Sequence, residues 1–211
     1  PMADGPVIQR SSERALARGA GTGYVFECVR RFRQRDADTP VVLMGYLNPV
    51  EIRGAARFAR EAVAAGVDGV LLVDLPPEEA GEFQQAFDAA GLALVMLASP
   101  TTSPARAAML SANAQGYLYY VSYAGVTGAD RLDTQVAGRR LQELRAAAKV
   151  PVVAGFGIKD AASAAAMAVD ADGVVVGSAL VSMLADAADA EAAAGRAREF
   201  LAPLRQAVDA G

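Results

Sequence analysis

From residue 40 onward the chain repeats one unit: a short apolar run bounded by Gly, Pro or Asp, then a longer stretch with helical spacing. The runs are Val41 to Met44, Val70 to Val73, Leu92 to Leu97, Tyr117 to Val121, Val150 to Ala154 and Gly173 to Val176. They read as six buried parallel strands, because a strand covered on both faces is apolar throughout instead of alternating. The intervening stretches fall at about Glu51 to Ala65, Pro77 to Ala90, Pro104 to Asn113, Val136 to Ala148, Ala161 to Met167 and Ala188 to Val208. In the first of these, Ile52, Ala55, Ala59, Ala62 and Val63 form one stripe, while Arg53, Arg57, Arg60 and Glu61 face away, as expected of a helix covering a sheet.

Strand and helix in regular alternation dictate a parallel sheet with crossover helices, either doubly wound or closed into a (β/α)₈ barrel. An open sheet normally carries one dominant Gly-rich turn after its first strand. Here glycines and polar residues follow several strands, which favours the barrel type. Ser11-Ser12-Glu13 reads as a helix start, and Gly19 to Gly23 as a connection into a helix over about Tyr24 to Arg35. A full barrel takes about 250 residues. The 211 residues hold about six of the eight βα units, so one barrel domain without its first two strands is expected, with two exposed sheet edges.

The chain contains no histidine, which removes Ser-His-Asp and Cys-His nucleophile systems, HExxH metal helices and imidazole bases. Acid–base chemistry must fall to carboxylate, Tyr or Lys. Cys28 is the only cysteine, so no intrachain disulfide or CxxC pair can form, which suits a reducing compartment. A net charge of -4 gives no basic field to draw nucleic acid or an anionic membrane. The longest apolar run, about Gly173 to Leu184, is short of the roughly 20 residues that span a bilayer. A soluble cytoplasmic protein, binding neither nucleic acid nor membrane, is expected.

Two consecutive strand ends carry small residues: Gly155-Phe156-Gly157-Ile158 before Lys159-Asp160 at a helix start, and Gly177-Ser178 after the last strand. In barrels the loops after the seventh and eighth strands commonly bind phosphate, because small residues let backbone N–H groups approach the oxyanion. Either motif alone equally suits a tight turn; the pair favours phosphate. Gly19 to Gly23 follows no strand, so a dinucleotide site is rejected there. Gly125-Val126-Thr127-Gly128 suits a mobile lid with a Thr127 hydroxyl, or an ordinary long loop.

Asp4, in Asp4-Gly5, is the only ionisable side chain of a short polar turn. Asp74, ending its strand, suits a site carboxylate or, more simply, a cap for the following helix. Tyr46, Leu71, Val73, Leu97, Tyr119 and Phe156 lie near strand C-terminal ends, where they would wall a pocket for a flat aromatic group or serve as core.

Pro1 to Gln9, Met44 to Pro49, Asp74 to Glu79, Gly125 to Gly128, Gly155 to Ile158 and Gly177-Ser178-Ala179 together resemble the tryptophan synthase alpha subunit family, in order and spacing along the whole chain. The resemblance implies a (β/α)₈ barrel lyase cleaving indole-3-glycerol phosphate to indole and glyceraldehyde 3-phosphate by a retro-aldol reaction. That chemistry requires no metal or organic cofactor. It also implies a tryptophan synthase beta subunit as partner in a heterotetramer, docked near Asn48 and the lid after Gly125. By the family pattern Asp4 contacts the indole nitrogen and Thr127 positions it. Tyr46, Leu71, Leu97, Tyr119 and Phe156 form the indole pocket, and Gly128, Gly157, Gly177 and Ser178 the phosphate site.

The family's second catalytic carboxylate, a strand-end glutamate upstream of the segment matched by Pro1 to Gln9, has no counterpart in the chain; Glu13 and Glu27 fall in helical segments after Asp4. The 211 residues are therefore expected to bind substrate but turn it over poorly. Two alternatives stand: a non-catalytic partner of the beta subunit, and another phosphate-binding barrel such as an isomerase.

Overall fold

A computed structural model describes residues 2–121, 134–155 and 157–210. In chain order the elements are α1 (Pro6–Ala17), α2 (Thr22–Arg33), β1 (Val42–Gly45), α3 (Asn48–Arg53), α4 (Ala55–Ala65), β2 (Gly69–Leu72), α5 (Gly81–Ala90), β3 (Ala93–Leu94) and β4 (Met96–Ala98). They continue as α6 (Pro104–Asn113), β5 (Leu118–Val121), α7 (Thr134–Ala147), β6 (Val152–Gly155), α8 (Ala161–Ala168), β7 (Gly173–Val175), α9 (Ser178–Leu184) and α10 (Ala190–Asp209).

All strands run parallel, in the orders β1-β2-β3 and β4-β5-β6-β7. The apolar run Leu92 to Leu97 is thus two short strands instead of one. Leu94 pairs with Val70 and Met96 with Leu118, and the pairing passes from β2 to β5 at Val95. The Leu94 N–H is bound by the Gln115 side chain at 2.9 Å, so a side-chain acceptor holds it where the β5 ladder begins only at Met96. Among the described residues β1 pairs only with β2 and β7 only with β6.

The two-residue period of the strands divides the apolar residues into two cores. Outward-facing Val70, Leu72, Leu94, Met96, Leu118, Tyr120, Val152 and Ala154 join the helices in the larger one. Helix packing there runs through Phe26, Phe58, Phe87 and Phe83, with successive ring centroids 5.7, 6.2 and 6.3 Å apart. Inward-facing Leu71, Val95 and Tyr119 form a smaller cluster with Val42, Val73, Leu97, Tyr117, Val121 and Val175. This second cluster faces the barrel interior.

Three further expectations are corrected. The first helix begins at Pro6, not near Ser11, because a proline is tolerated in the first turn, where its missing N–H costs nothing. The stretch Glu51 to Ala65 is two helices, since Gly54 adopts φ +83°, outside the helical region. The break shifts the helical phase, so Ile52 is 79% exposed and the buried face of α4 is Phe58, Ala59, Ala62 and Ala65. The helix expected from Pro77 starts only at Gly81, after a turn through Pro76 to Ala80. The apolar run ending at Leu184 also contains an unanticipated helix, α9.

At the N-terminal ends of the strands one device appears twice. Asp68, just before β2, accepts the Val41 N–H and an Arg33 N–H from the end of α2, each at 2.6 Å. Asp172, just before β7, accepts the Val152 N–H at 2.8 Å and an Arg145 N–H from α7 at 2.7 Å. In both, a carboxylate satisfies an N–H at the start of the neighbouring strand and anchors the helix that precedes it. Arg33 adds bonds to the carbonyls of Gly66 and Thr39, at 2.8 and 2.7 Å. These clamps secure the end of the sheet away from the candidate site.

Candidate functional site

The described candidates collect at the C-terminal ends of the strands, where (β/α) barrels carry their chemistry. Asp4 sits in the turn before α1. Its carbonyl accepts from Gln9 Nε2 at 2.7 Å, which ties the turn to the helix it precedes. The Asp4 carboxylate is held by a residue 42 positions away: Tyr46 Oη donates to Asp4 Oδ2 at 2.8 Å. The same hydroxyl accepts the Ala3 N–H at 3.0 Å. Tyr46 lies one residue beyond β1, so these two bonds pin the Asp4 turn to that strand's C-terminal end.

Partial burial raises the Tyr46 phenol above its ordinary value, and donation to the Asp4 carboxylate raises it further; the Ala3 N–H opposes both. The phenol therefore stays protonated near neutrality and serves as a fixed donor. Tyr46 was expected as a pocket wall; its hydroxyl is the partner of Asp4. No local sequence signal marks this pairing, since the turn and the strand end are brought together only by the fold.

Leu71, Leu97 and Tyr119, three of the expected pocket residues, share the interior cluster, and Val73 packs against it. Tyr119 is 8% exposed, and burial raises its phenol, with neighbouring Tyr117 adding to the effect. Its hydroxyl lies over Gly155 at the end of β6: a Cβ there would stand 2.1 Å from Tyr119 Oη and 2.6 Å from Cζ. Glycine at 155 is what allows the ring to reach the start of the loop leading to Gly157.

Gly157 is exposed with φ +68°, and the following helix, α8, is capped by Asp160, which accepts from Ser163 N at 2.8 Å. Ser163 Oγ in turn accepts from Asp160 N at 3.1 Å. The hydrogen bonds from Ser163 hold the Asp160 carboxyl below the usual range. A carboxylate thus already occupies the N-terminus of α8. The next helix differs. Gly177 is the N-cap of α9 with no side chain to bond the first N–H groups, and Gly177 and Ser178 are both exposed. The first N–H groups of any helix lack intrahelical acceptors and favour an anion.

Asp74 is neither a cap nor a free carboxylate. Its Oδ1 accepts the Leu47 N–H at 2.7 Å, while α5 begins seven positions later at Gly81. Beside it a cavity of about 250 Å³ is lined by residues including Leu75, Pro76, Leu97 and Arg106. Thr127, Gly128 and Phe156 fall outside the described residues, as does the whole segment Gly125 to Gly128 expected to form a lid or a long loop. Asn48, expected near the docking face, is the first residue of α3 and is exposed.

Residues 1–209 match the family model for the tryptophan synthase alpha chain. The tryptophan synthase alpha chain of Xanthomonas campestris pv. campestris (strain B100) is 72% identical over 212 residues, covering 100% of this chain and 78% of the relative. That of Xylella fastidiosa (strain 9a5c) is 72% identical over 210 residues, with the same coverage. Among solved structures, tryptophan synthase subunit alpha from Legionella pneumophila str. Paris superposes with a TM-score of 0.89 at 44% identity, covering 100% of this chain and 78% of that one. The tryptophan synthase a2b2 complex of Pyrococcus furiosus gives 0.87 at 35% identity, with 98% and 82% covered.

Proposed function

We infer the function from the premise that the chain belongs to the tryptophan synthase alpha chain family. It is accordingly a carbon–carbon lyase of tryptophan biosynthesis, acting on indole-3-glycerol phosphate and pairing with a tryptophan synthase beta subunit in an a2b2 heterotetramer. The fold class is the TIM-barrel type, and the 211 residues are read as one (β/α)-barrel domain with six of its eight units.

In the site we propose, Asp4 is the carboxylate that accepts the proton of the indole nitrogen as the ring becomes a leaving group. The observation that carries this is the Tyr46 hydrogen bond to Asp4 Oδ2, which among the described residues leaves Oδ1 of the same carboxylate for a substrate N–H. Leu71, Leu97 and Tyr119, with Tyr46 and Phe156, wall the indole. Gly157, Gly177 and Ser178, with Gly128, hold the phosphate. The uncapped start of α9 supports a phosphate nearer Gly177 than α8, whose N-terminus Asp160 already fills. Thr127 orients Asp4.

Chemistry at the indole C3 and the glycerol hydroxyl calls for a second proton-transfer group. The glutamate that fills this role by family pattern has no counterpart among the 211 residues. The chain by itself is therefore proposed to bind substrate and release little indole. No helix among the described residues is long and apolar enough to cross a membrane. A cytoplasmic location is proposed, in keeping with Cys28, which is exposed and unpaired.

The test is indole release from indole-3-glycerol phosphate by two proteins: the 211-residue chain, and the same chain extended at its N-terminus with the corresponding segment of the Xanthomonas campestris relative. Turnover by the extended chain alone is expected. Robust turnover by the 211 residues refutes the need for a second carboxylate, and none by either refutes the lyase reading of these residues.

A further inference from the structure

The side chain of Asp74 completes the sheet where the backbone ladder between β1 and β2 stops. The ladder runs through Gly45 and Leu72, and Val73 N–H still donates to the Gly45 carbonyl at 3.0 Å. In a parallel ladder the next rung would run from Leu47 N–H to the Val73 carbonyl. Instead the Leu47 N–H donates to Asp74 Oδ1 at 2.7 Å. Beyond this point β1 turns into α3, and the Leu47 carbonyl accepts the first helical N–H groups, from Val50 at 2.8 Å and Glu51 at 3.0 Å.

The bonded N–H belongs to the peptide that joins Tyr46 to Leu47, so the carboxylate fixes the backbone torsion that aims the Tyr46 side chain. Tyr46 is the residue whose hydroxyl takes the Ala3 N–H and holds Asp4 Oδ2. We propose that Asp74 is a positioning residue: it acts through the Tyr46–Leu47 peptide to aim the Tyr46 hydroxyl at Asp4, and so fixes the carboxylate that meets the substrate. The inference rests on the reading of Asp4 as the catalytic carboxylate. Asp74 contributes here as a hydrogen-bond acceptor at a set distance, and its charge is incidental.

An acceptor role without a role for charge separates the conservative variants. Asp74→Asn keeps an oxygen acceptor in place without the charge. Asp74→Glu keeps the charge and moves the acceptor by one methylene. Asp74→Ala removes both. The readout is the titration of Tyr46 in the 211-residue chain carrying ¹³Cζ-labelled tyrosine, with the resonance identified from Tyr46→Phe.

Among the described residues the groups bonded around the phenol are Asp4 and the Ala3 N–H, on the segment before α1, and Asp74 reaches it through Leu47. In the wild-type chain the phenol titrates above the ordinary tyrosine value of about 10, raised first by burial and then by Asp4. Asp74→Asn is expected to leave it there. Asp74→Ala and Asp74→Glu are expected to shift it downward, in the direction that Asp4→Asn shifts it. An unshifted Tyr46 in Asp74→Ala, or in Asp74→Glu should the alanine variant not fold, overturns the proposal. So does a downward shift in a folded Asp74→Asn. Because the phenol is followed directly, the result does not depend on whether Asp4 takes a proton from substrate; that question is settled by turnover.

Discussion

Tyr46 Oη donates to Asp4 Oδ2 at 2.8 Å and, through Ala3 N–H, also holds the backbone of the turn that carries Asp4. One hydroxyl therefore fixes both the carboxylate and its loop at the end of β1. A carboxylate free to rotate would spend much of its time aimed away from the substrate, and catalytic geometry is sensitive to such looseness.

Tyr46→Phe keeps the ring and removes both bonds. A hydrogen bond to a charged group is worth about 1.5–3 kcal/mol. In the N-terminally extended enzyme kcat is expected to fall about tenfold or more, with a smaller change in KM, because the ring still walls the pocket. Steady-state kinetics with indole-3-glycerol phosphate checks this.

Gly155→Ala places a methyl group 2.1 Å from Tyr119 Oη. Overpacking of this kind costs about 1–3 kcal/mol, seen as a lower urea midpoint at unchanged slope. Adding Tyr119→Phe is expected to restore only part of the loss, since the ring atom Cζ would still lie 2.6 Å from the new Cβ.

Arg33→Ala and Arg145→Ala compare the two clamps. The Arg33 side chain is 17% exposed and bonds Asp68 and three carbonyls; that of Arg145 is 47% exposed and bonds Asp172. Loss of Arg33 is expected to cost about 2 kcal/mol, and loss of Arg145 under about 1 kcal/mol. Urea denaturation of both variants gives the comparison; equal losses would show that burial does not set the difference.

Asp36, Asp160, Glu27 and Glu61 all titrate below their ordinary values. The causes differ. Asp36 is lowered chiefly by the Thr39 N–H and hydroxyl, Asp160 by Ser163, Glu27 by Arg31 and Arg30, and Glu61 by Arg57 and Arg53. A carboxylate whose folded pKa is depressed contributes stability that is present above its unfolded pKa near about 4 and is lost as pH falls through the folded pKa. The urea midpoint is therefore expected to hold steady from pH 7 to 5 with respect to these groups and to decline below about pH 4. Asp160→Asn should lessen that decline.

The architecture was legible because buried parallel strands and covering helices write different periods into the chain. Each apolar run from Val41 onward contains a strand, and α6 spans the range its spacing predicts, Pro104–Asn113. What failed depended on one residue or on distant partners. Gly54 gave no warning that it would leave the helical region and turn Ile52 outward. The split at Val95 follows from which neighbour each peptide bonds, which no local pattern records. Of the expected pocket residues, Leu71, Leu97 and Tyr119 meet in one cluster. The connections within the site were not legible: Asp74 reads as a helix cap because it ends a strand ahead of a stretch with helical spacing. Its actual partner, Leu47, lies 27 residues earlier in the chain.

The most direct test of the account is kcat for indole release by Asp4→Asn in the N-terminally extended enzyme. Asparagine keeps the shape and can still bond Tyr46, but it cannot accept the indole proton. Removing a general base typically costs about 10²- to 10⁴-fold, so kcat should drop by at least about two orders of magnitude with KM nearly unchanged. An unchanged kcat would contradict the role of Asp4, and with it the site built around Tyr46.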